Sequence, residues 1–279
     1  MSFKIVIDSC GELTEEMKAS GYYETASLTM QVDGETIVDD ETFDQADFLK
    51  KVAMSPNCPK SSCPSPEAYR EAFDCGADHV YGVTLSANLS GSYNSAELGM
   101  NLLKEKKPDT KGYVFNSCSA SVGETLIGMK IQECEEKEMS FEEVVRTVEN
   151  YIASQKTWFV LENLETLRKN GRLSKVKAFV ATALRIKPVM TSTPEGEIVQ
   201  LGQARGMNKA LVKMVDNILE YVEKPEDRIL AISHCNCRER AMMVRDEIEK
   251  RANFKSIFIV DTAGISSMYA NDGGIIIVA

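Results

Sequence analysis

Positive charge and long apolar runs are both scarce in this 279-residue sequence. It has 32 lysines and arginines against 42 aspartates and glutamates, which gives a net charge of −10. This balance argues against a nucleic acid as the main partner, because such binding needs a basic face. No stretch approaches the roughly 20 consecutive apolar residues that span a bilayer. Residues 1–20 also lack the pattern of an export signal, so we expect a cytoplasmic protein with at most peripheral membrane contact.

Histidine is scarce as well, and this limits the enzyme classes that fit. The two histidines are His79, at the start of an apolar run, and His234, near the end of another. A serine hydrolase needs a base, and the sequence contains no G-x-S-x-G motif. The G-x-x-x-x-G-K-[ST] motif of a P-loop kinase is absent too. A stand-alone serine hydrolase or phosphotransferase therefore stays an alternative hypothesis without its usual signatures.

The eight cysteines form no recognisable disulfide or metal framework. They are scattered along the chain, and a cytosolic protein keeps its thiols reduced, so we interpret most of them as small buried apolar residues. The one tight cluster is His234-Cys235-Asn236-Cys237, whereas structural zinc sites usually use pairs of the form C-x2-C. We interpret this cluster as a strand end that runs into a helix, and we expect no metal and no cofactor.

Short apolar runs rich in valine and isoleucine alternate with amphipathic segments of helical length. This pattern is typical of strands that crossover helices bury on both faces, so it predicts an α/β fold with mainly parallel sheets. Helix starts are expected at Ser65-Pro66 and at the capping box of Ser140 and Glu143. A further helix is expected over 208–222. The predicted strands are 3–8, 79–84, 112–116, 157–161, 197–201, 228–233, 255–260 and 274–278.

The length of the chain suits two domains that each bury a core. The helix that begins after Ser140 should end near residue 153, and a new strand with the only tryptophan, Trp158, follows. We therefore expect an amino-terminal α/β domain over 1–153 and a carboxyl-terminal α/β domain over 154–279. No long glycine- or proline-rich linker separates them, so close contact is expected.

Polar residues cluster at three points where a strand should pass into a helix. Open α/β sheets bind ligands at the carboxyl ends of their strands, and helix N-termini favour anions. Each cluster read alone is also compatible with an ordinary polar turn, in which Ser90 would only cap a helix. The three clusters are 60–66 with Ser61 and Ser62, 84–96 with Ser90, Gly91 and Ser92, and 116–123.

Taken together, these segments resemble the DegV family. The resemblance runs from residue 3 to about 210 and continues more weakly to the carboxyl terminus. Five motifs carry it in the family's order: Asp8-Ser9 at the first strand end, SSCPS at 61–65, LSGSYNSA at 89–96, LRKNGRLS at 167–174 and IKP at 186–188.

The resemblance implies two α/β domains that hold a long-chain fatty acid, with the acyl chain in an apolar tunnel of the carboxyl-terminal domain. It implies that a separate ATP-dependent fatty acid kinase subunit phosphorylates the acyl carboxylate, so that this chain is a binding subunit and not itself an enzyme. The carboxylate-binding positions implied are Ser62 and Ser90, helped by Ser61 and Ser92 beside Gly91. The positions implied for kinase docking are Arg172 and Arg205.

The sequence departs from the family pattern at three places. The usual Thr-Ser-Gln is Ser61-Ser62-Cys63, and the paired glycines before Arg172 are Asn170-Gly171. A terminal motif with a histidine is replaced by YANDGG at 269–274, where we expect Asn271 to take the place of the histidine at the carboxylate. Alternatively, Asn271 only shapes the turn. A regulatory lipid-binding protein without a kinase partner also remains open.

Overall fold

The fold is described by a computed structural model over residues 2–173 and 185–279; Ser174, the last residue of the fourth motif, lies outside them. The strands are β1 (Phe3–Asp8), β2 (Tyr23–Ala26), β3 (Thr29–Val32), β4 (Glu35–Val38), β5 (Lys60–Ser62), β6 (His79–Thr84), β7 (Lys111–Asn116), β8 (Thr157–Val160), β9 (Ile186–Ser192), β10 (Ile198–Arg205), β11 (Ile229–His234), β12 (Ser256–Asp261) and β13 (Ile275–Val278). The helices are α1 (Glu15–Ser20), α2 (Gln45–Met54), α3 (Pro66–Phe73), α4 (Ser92–Lys106), α5 (Val122–Glu136), α6 (Phe141–Ser154), α7 (Glu165–Lys169), α8 (Met207–Tyr221), α9 (Arg238–Glu249) and α10 (Gly264–Ala270), with a 3-10 turn at Pro225–Asp227.

The first sheet is parallel throughout, with the strand order β2-β1-β6-β7. Every residue of β6 is buried, because helices cover both faces of the sheet. Ile5 and Ile7 pack toward the core that α5 and α6 share, while Val6 packs toward the core of α3 and α4. The expected α/β class is confirmed, and the apolar runs at 3–8 and 79–84 form strands with the predicted bounds.

The second sheet has six strands in the order β10-β9-β8-β13-β11-β12. It departs from the expectation of mainly parallel strands, because only β11 and β12 pair in parallel and the other neighbours pair antiparallel. A turn of a few residues joins β9 to β10, and such a short connection permits only an antiparallel hairpin. Apolar composition reports burial and carries no information on strand direction.

A third, three-stranded antiparallel sheet, β4-β3-β5, was not expected from the sequence. Its strands have only three or four residues each, too few to give a clear periodicity. The segment after β4 joins this sheet to α10: the Asp39 carboxylate accepts hydrogen bonds from the Gly264 and Ile265 amides at 2.6 and 2.9 Å. Burial raises the pKa of Asp39 to about 6.

The helix signals in the sequence are confirmed. The Ser65 hydroxyl accepts from the Ala68 amide at 3.1 Å, and Ser140 with Glu143 forms a complete capping box. The helix expected over 208–222 is α8, whose apolar face is buried. The cluster at 234–237 is a strand end followed by α9, as interpreted. Among the described residues, no helix is long and apolar enough to cross a membrane.

Helices α3 and α4 approach each other closely at Gly99. A β-carbon on Gly99 would lie 2.7 Å from the Pro66 carbonyl oxygen and 2.8 Å from the Tyr69 β-carbon. Backbone atoms cannot yield as the end of a flexible side chain can. This contact fixes the start of α3 against α4, and so places the serine segments that precede the two helices.

We expect Gly99→Ala to lower the free energy of unfolding by about 1 to 3 kcal/mol, as overpacking does. The clash should outweigh the roughly 1 kcal/mol that alanine gains over glycine inside a helix. Gly128→Ala in α5 is the matched control, since its β-carbon would meet only the side-chain ends of Tyr23 and Met17. Urea unfolding of both variants checks this, and equal stabilities would show that α3 and α4 separate at little cost.

Candidate functional site

A cavity lies between the two larger sheets. One wall is formed by the loops that follow β1, β6 and β7, at the carboxyl ends of the parallel strands. The opposite wall is formed by β8, β9, β10, β13, α7 and α10. The empty volume is about 730 Å³, including the part that opens to solvent. A crevice at the carboxyl ends of parallel strands is the usual ligand site in α/β proteins.

The cavity is lined mainly by apolar side chains. Leu85 and Leu89 follow β6, Phe159 and Leu161 come from β8 and the residue after it, and Ile265 comes from α10. Four of these five are buried, so the wall is a continuation of the protein core and not a surface groove. Such a lining suits a long apolar ligand.

Hydroxyl groups in the wall are paired within the protein. Ser119 and Thr157 hydroxyls lie 2.6 Å apart, and those of Ser121 and Ser233 lie 2.7 Å apart. The Ser121 hydroxyl also lies 2.8 Å from Oε2 of Glu12. Because these groups already have partners, they present little unsatisfied polarity to a ligand.

A small polar group stands at one part of the cavity, where Tyr269 and Arg172 line the wall and Ser61 lies against Tyr269. The Tyr269 hydroxyl lies 2.9 Å from the Ser61 hydroxyl, and the Arg172 guanidinium lies 5.6 Å from the centre of the Tyr269 ring. Arg172 is held by hydrogen bonds to the carbonyl oxygens of Leu89, at 3.1 Å, and of Asn170. Burial raises the pKa of Tyr269, so its hydroxyl remains a neutral donor. We call these three residues the polar mouth.

The predicted serine segments come close to each other. A β-carbon on Gly91 would lie 3.2 Å from the Cys63 sulfur, so the turn before α4 touches the end of the β5 segment. The Ser90 hydroxyl is half-buried, accepts from the Ser92 amide at 3.2 Å and lies 3.0 Å from the Ser92 hydroxyl. Ser92 is fully buried, and the cap of α4 is Gly91 without a side-chain hydrogen bond.

Among the described lining residues, Arg172 is the one predicted position; Ser61, Ser90, Gly91 and Ser92 lie outside the wall, as do Asn271, Arg205 and Ser62. Asn271 follows α10, where its amide nitrogen donates to the Tyr269 carbonyl at 3.0 Å and its oxygen accepts from Thr166 at 3.3 Å. Arg205 is exposed at the end of β10. Ser62 is exposed on β5. None of these three is among the described residues that line the cavity.

Sequence reasoning missed Tyr269 and Cys10, which both line the cavity. Tyr269 belongs to the same 269–274 segment as Asn271, the residue that was expected at the carboxylate. A tyrosine next to the expected polar position was a usable signal, because a phenol combines an apolar ring with a hydrogen-bonding tip. Cys10 gave no signal, since a lone cysteine after a strand is usually a buried apolar residue.

Buried carboxyl groups lie behind the Cys10 side of the cavity. Asp8 accepts from the Cys10 and Leu85 amides at 3.1 and 2.9 Å. Burial raises the pKa of Asp8 above its usual range, that of Glu12 to about 7 and that of Glu124 well above the usual value. Asp8, Cys10 and Glu124 are also the group of described residues with the spacing to hold a metal ion.

Comparison with known proteins agrees with this architecture. The family model described as "Uncharacterised protein, DegV family" matches residues 2–279. A DegV domain-containing protein of Streptococcus gordonii is 32% identical over 278 residues, which cover 99% of this chain and 98% of that protein.

Solved structures of the same family are similar over the whole chain. A DegV family protein from Ruminococcus gnavus, refined with vaccenic acid, is 56% identical with a TM-score of 0.98, and both chains are covered completely. The Streptococcus pneumoniae Fatty Acid Kinase (Fak) B3 protein, loaded with linoleic acid, is 31% identical with a TM-score of 0.89, covering 100% of this chain and 99% of that one. On the family match and these likenesses, the chain belongs to the DegV family.

Proposed function

We propose that this protein binds a long-chain fatty acid in the cavity between its two larger sheets. The observation that carries the proposal is an apolar cavity with a polar mouth, a combination that suits the apolar chain and polar head group of a fatty acid. The fatty acids in the related structures from R. gnavus and S. pneumoniae support it. Burial of each CH2 group contributes about 0.8 kcal/mol, so a long acyl chain can bind with high affinity and few polar contacts.

We further propose that the carboxylate lies at the polar mouth, between Tyr269 with Ser61 and the Ser90–Ser92 turn. Hydroxyl donors suit an anion that a second protein must reach, because release breaks no bidentate ion pair. Asn271 is less suited to this role, since both ends of its amide already have partners in the turn. Gly91 stays part of the proposal as a member of this turn, and Ser62 stays part of it as the neighbour of Cys63, whose sulfur lies close to Gly91.

The residues that line the cavity come unequally from the two halves of the chain. Of its 20 lining residues, 13 lie after residue 153 and 7 before it. We propose that the region 154–279 holds most of the acyl chain and that 1–153 supplies the carboxylate-binding turns. In this arrangement the two regions act as separate domains around one ligand.

We also propose that a separate ATP-dependent kinase acts on the carboxylate, and that this chain works in the cytoplasm as the binding subunit. The name of the S. pneumoniae relative supports the kinase partner. The histidines support a non-catalytic chain: the His79 ring lies 2.7 Å from Glu135, and His234 accepts from the Cys237 amide. In the described structure neither ring hydrogen-bonds to a predicted serine, unlike the serine–histidine pair of a serine hydrolase.

Tyr269→Phe should weaken fatty-acid binding roughly tenfold or more, because a hydrogen bond to a charged group is worth about 1.5 to 3 kcal/mol. The control is Tyr221→Phe, which removes the same hydroxyl from a tyrosine that is 46% exposed and does not line the cavity. Titration with a fluorescent fatty acid measures both. Equal affinity in the two variants would contradict a carboxylate at this mouth.

Ser90→Ala should also weaken binding by roughly tenfold, since its half-buried hydroxyl is available to donate to the carboxylate. Circular dichroism should show an unchanged fold, because the cap residue of α4 is Gly91. The same fatty-acid titration applies. Full affinity in Ser90→Ala combined with a loss in Tyr269→Phe would confine the carboxylate to the Tyr269 side.

Arg205→Glu should slow acyl phosphate formation by the kinase while it changes lipid affinity by less than about threefold, since exposed charges mainly alter association rates. Arg172→Glu should lower both properties, because Arg172 lines the cavity and contacts Tyr269. Lipid titration and kinase assays at several salt concentrations separate the effects. Unchanged kinase rates with Arg205→Glu would remove Arg205 from the docking surface.

A further inference from the structure

Three side chains of metal-ligating type meet behind the cavity wall. Asp8 ends β1, Cys10 follows it in the next loop, and Glu124 lies in the first turn of α5. Their ligand atoms all lie within 4.8 Å of one another, and all three residues are buried. Cys10 also lines the cavity, so the cluster lies immediately behind that wall.

The cluster concentrates negative charge without a basic partner. A further buried carboxyl, Glu12, lies two residues from Cys10 and is 4% exposed. Among the described residues, the carboxyl groups of Asp8, Glu12 and Glu124 form no ion pair with lysine, arginine or histidine. Burial of unpaired carboxylates is costly, so either protons or a cation must balance them.

Unpartnered polar atoms mark the same place. Within the described structure, both oxygens of Glu124 and Oε1 of Glu12 are buried and accept no hydrogen bond from an N–H or O–H group. Glu124 lies within hydrogen-bonding reach of Asp8, so a protonated Glu124 can donate to Asp8, and the buried Tyr69 hydroxyl has Ser92 within similar reach. Buried polar atoms nearly always have partners, so the carboxyl groups here need either such a shared proton or a bound cation.

The candidate ligands are held in place by backbone groups. Asp8 is oriented by the Cys10 and Leu85 amides, and the Cys10 sulfur accepts from the Ser121 amide at 3.4 Å. Burial and the neighbouring carboxyl groups raise the pKa of the Cys10 thiol well above its usual value, so the thiolate that binds metal forms there only when a cation compensates its charge. Gly11 lets the loop approach α5, since a β-carbon there would lie 2.9 Å from that of Glu124. Such outer contacts orient ligands in known metal sites.

The position in the sheet fits a ligand site too. In the order β2-β1-β6-β7, the chain leaves β1 toward β2 on one side, and β6 lies on the other. Asp8 is the last residue of β1 and Leu85 follows β6, so the cluster lies at the carboxyl ends of the strands where the order reverses. This switch point is where open parallel sheets bind their ligands.

We propose that Asp8, Cys10 and Glu124 bind one divalent cation of the zinc class. Two carboxylates and a thiolate form a ligand set that Zn²⁺ accepts in tetrahedral coordination, whereas Mg²⁺ and Ca²⁺ prefer oxygen ligands alone. Glu12, whose charge acts on both Glu124 and Cys10, adds to the negative charge that the cation would balance. Binding displaces the thiol proton of Cys10 and any proton held by the carboxyl groups, and these protons pass to solvent.

The first test uses the unmodified protein. After dialysis against a chelator, the protein is titrated with Zn²⁺ and, separately, with Co²⁺. We expect one equivalent of each to bind, a rise in unfolding temperature, and a near-ultraviolet charge-transfer band with Co²⁺ that requires a thiolate ligand. A protein that takes up no tightly bound metal would overturn the proposal and leave protons as the balancing charge.

Variants then test which side chains bind the metal. Cys10→Ser should abolish the cobalt charge-transfer band, and Glu124→Gln should weaken Zn²⁺ binding at least tenfold, as loss of a ligand does. Cys63→Ser, which alters an exposed cysteine, controls for adventitious uptake, and Cys134→Ser alters a buried cysteine in another core. An unchanged band in Cys10→Ser, or its loss in either control, would show that the metal binds elsewhere.

Discussion

The architecture depends on a set of buried hydrogen bonds that join the two larger sheets around the cavity. Ser119 meets Thr157, Ser121 meets Ser233, and the Ser86 hydroxyl donates to the Gly196 carbonyl at 2.9 Å. Each bond links a loop at the carboxyl end of a parallel strand to the opposite side. Because a buried hydroxyl without a partner is costly, these pairs fix the spacing of the sheets. The cavity is the space that this spacing leaves.

The same bonds separate two kinds of environment within one cavity. Hydroxyls that hold the sheets together are satisfied internally, so the walls behave as apolar surface toward a ligand. The polar mouth differs because it carries a positive charge: the Arg172 guanidinium, held by backbone carbonyls, lies beside the Tyr269 ring, whose hydroxyl pairs with that of Ser61. In the proposed function, burial supplies affinity and a few donors supply orientation.

Local signals in the sequence predicted the elements that are long or capped. The apolar runs of β1 and β6, the Ser65 cap and the Ser140 capping box all appear as expected. The three-stranded sheet could not be predicted from the sequence, because its short strands depend on contacts with α10, which is far away in the chain. Strand direction in the second sheet was equally hidden, since it is set by connections and not by composition.

The candidate site was predicted only in part, and the reason is similar. The sequence indicated which turns carry hydroxyls, but not which side chains reach the cavity. Asn271 and Tyr269 are two residues apart, yet only Tyr269 lines the wall, because the end of α10 turns them in different directions. Side-chain direction at a helix end depends on backbone geometry that composition does not record.

The mouth is assembled from three short segments that are far apart in the chain: Ser61 on β5, Arg172 after α7, and Tyr269 on α10. The apolar walls come mostly from other residues. Substitutions at the mouth therefore need not disturb the walls, and substitutions that lengthen or narrow the cavity need not disturb the proposed head-group contacts. In evolutionary terms, the two halves of ligand preference can diverge independently on one scaffold.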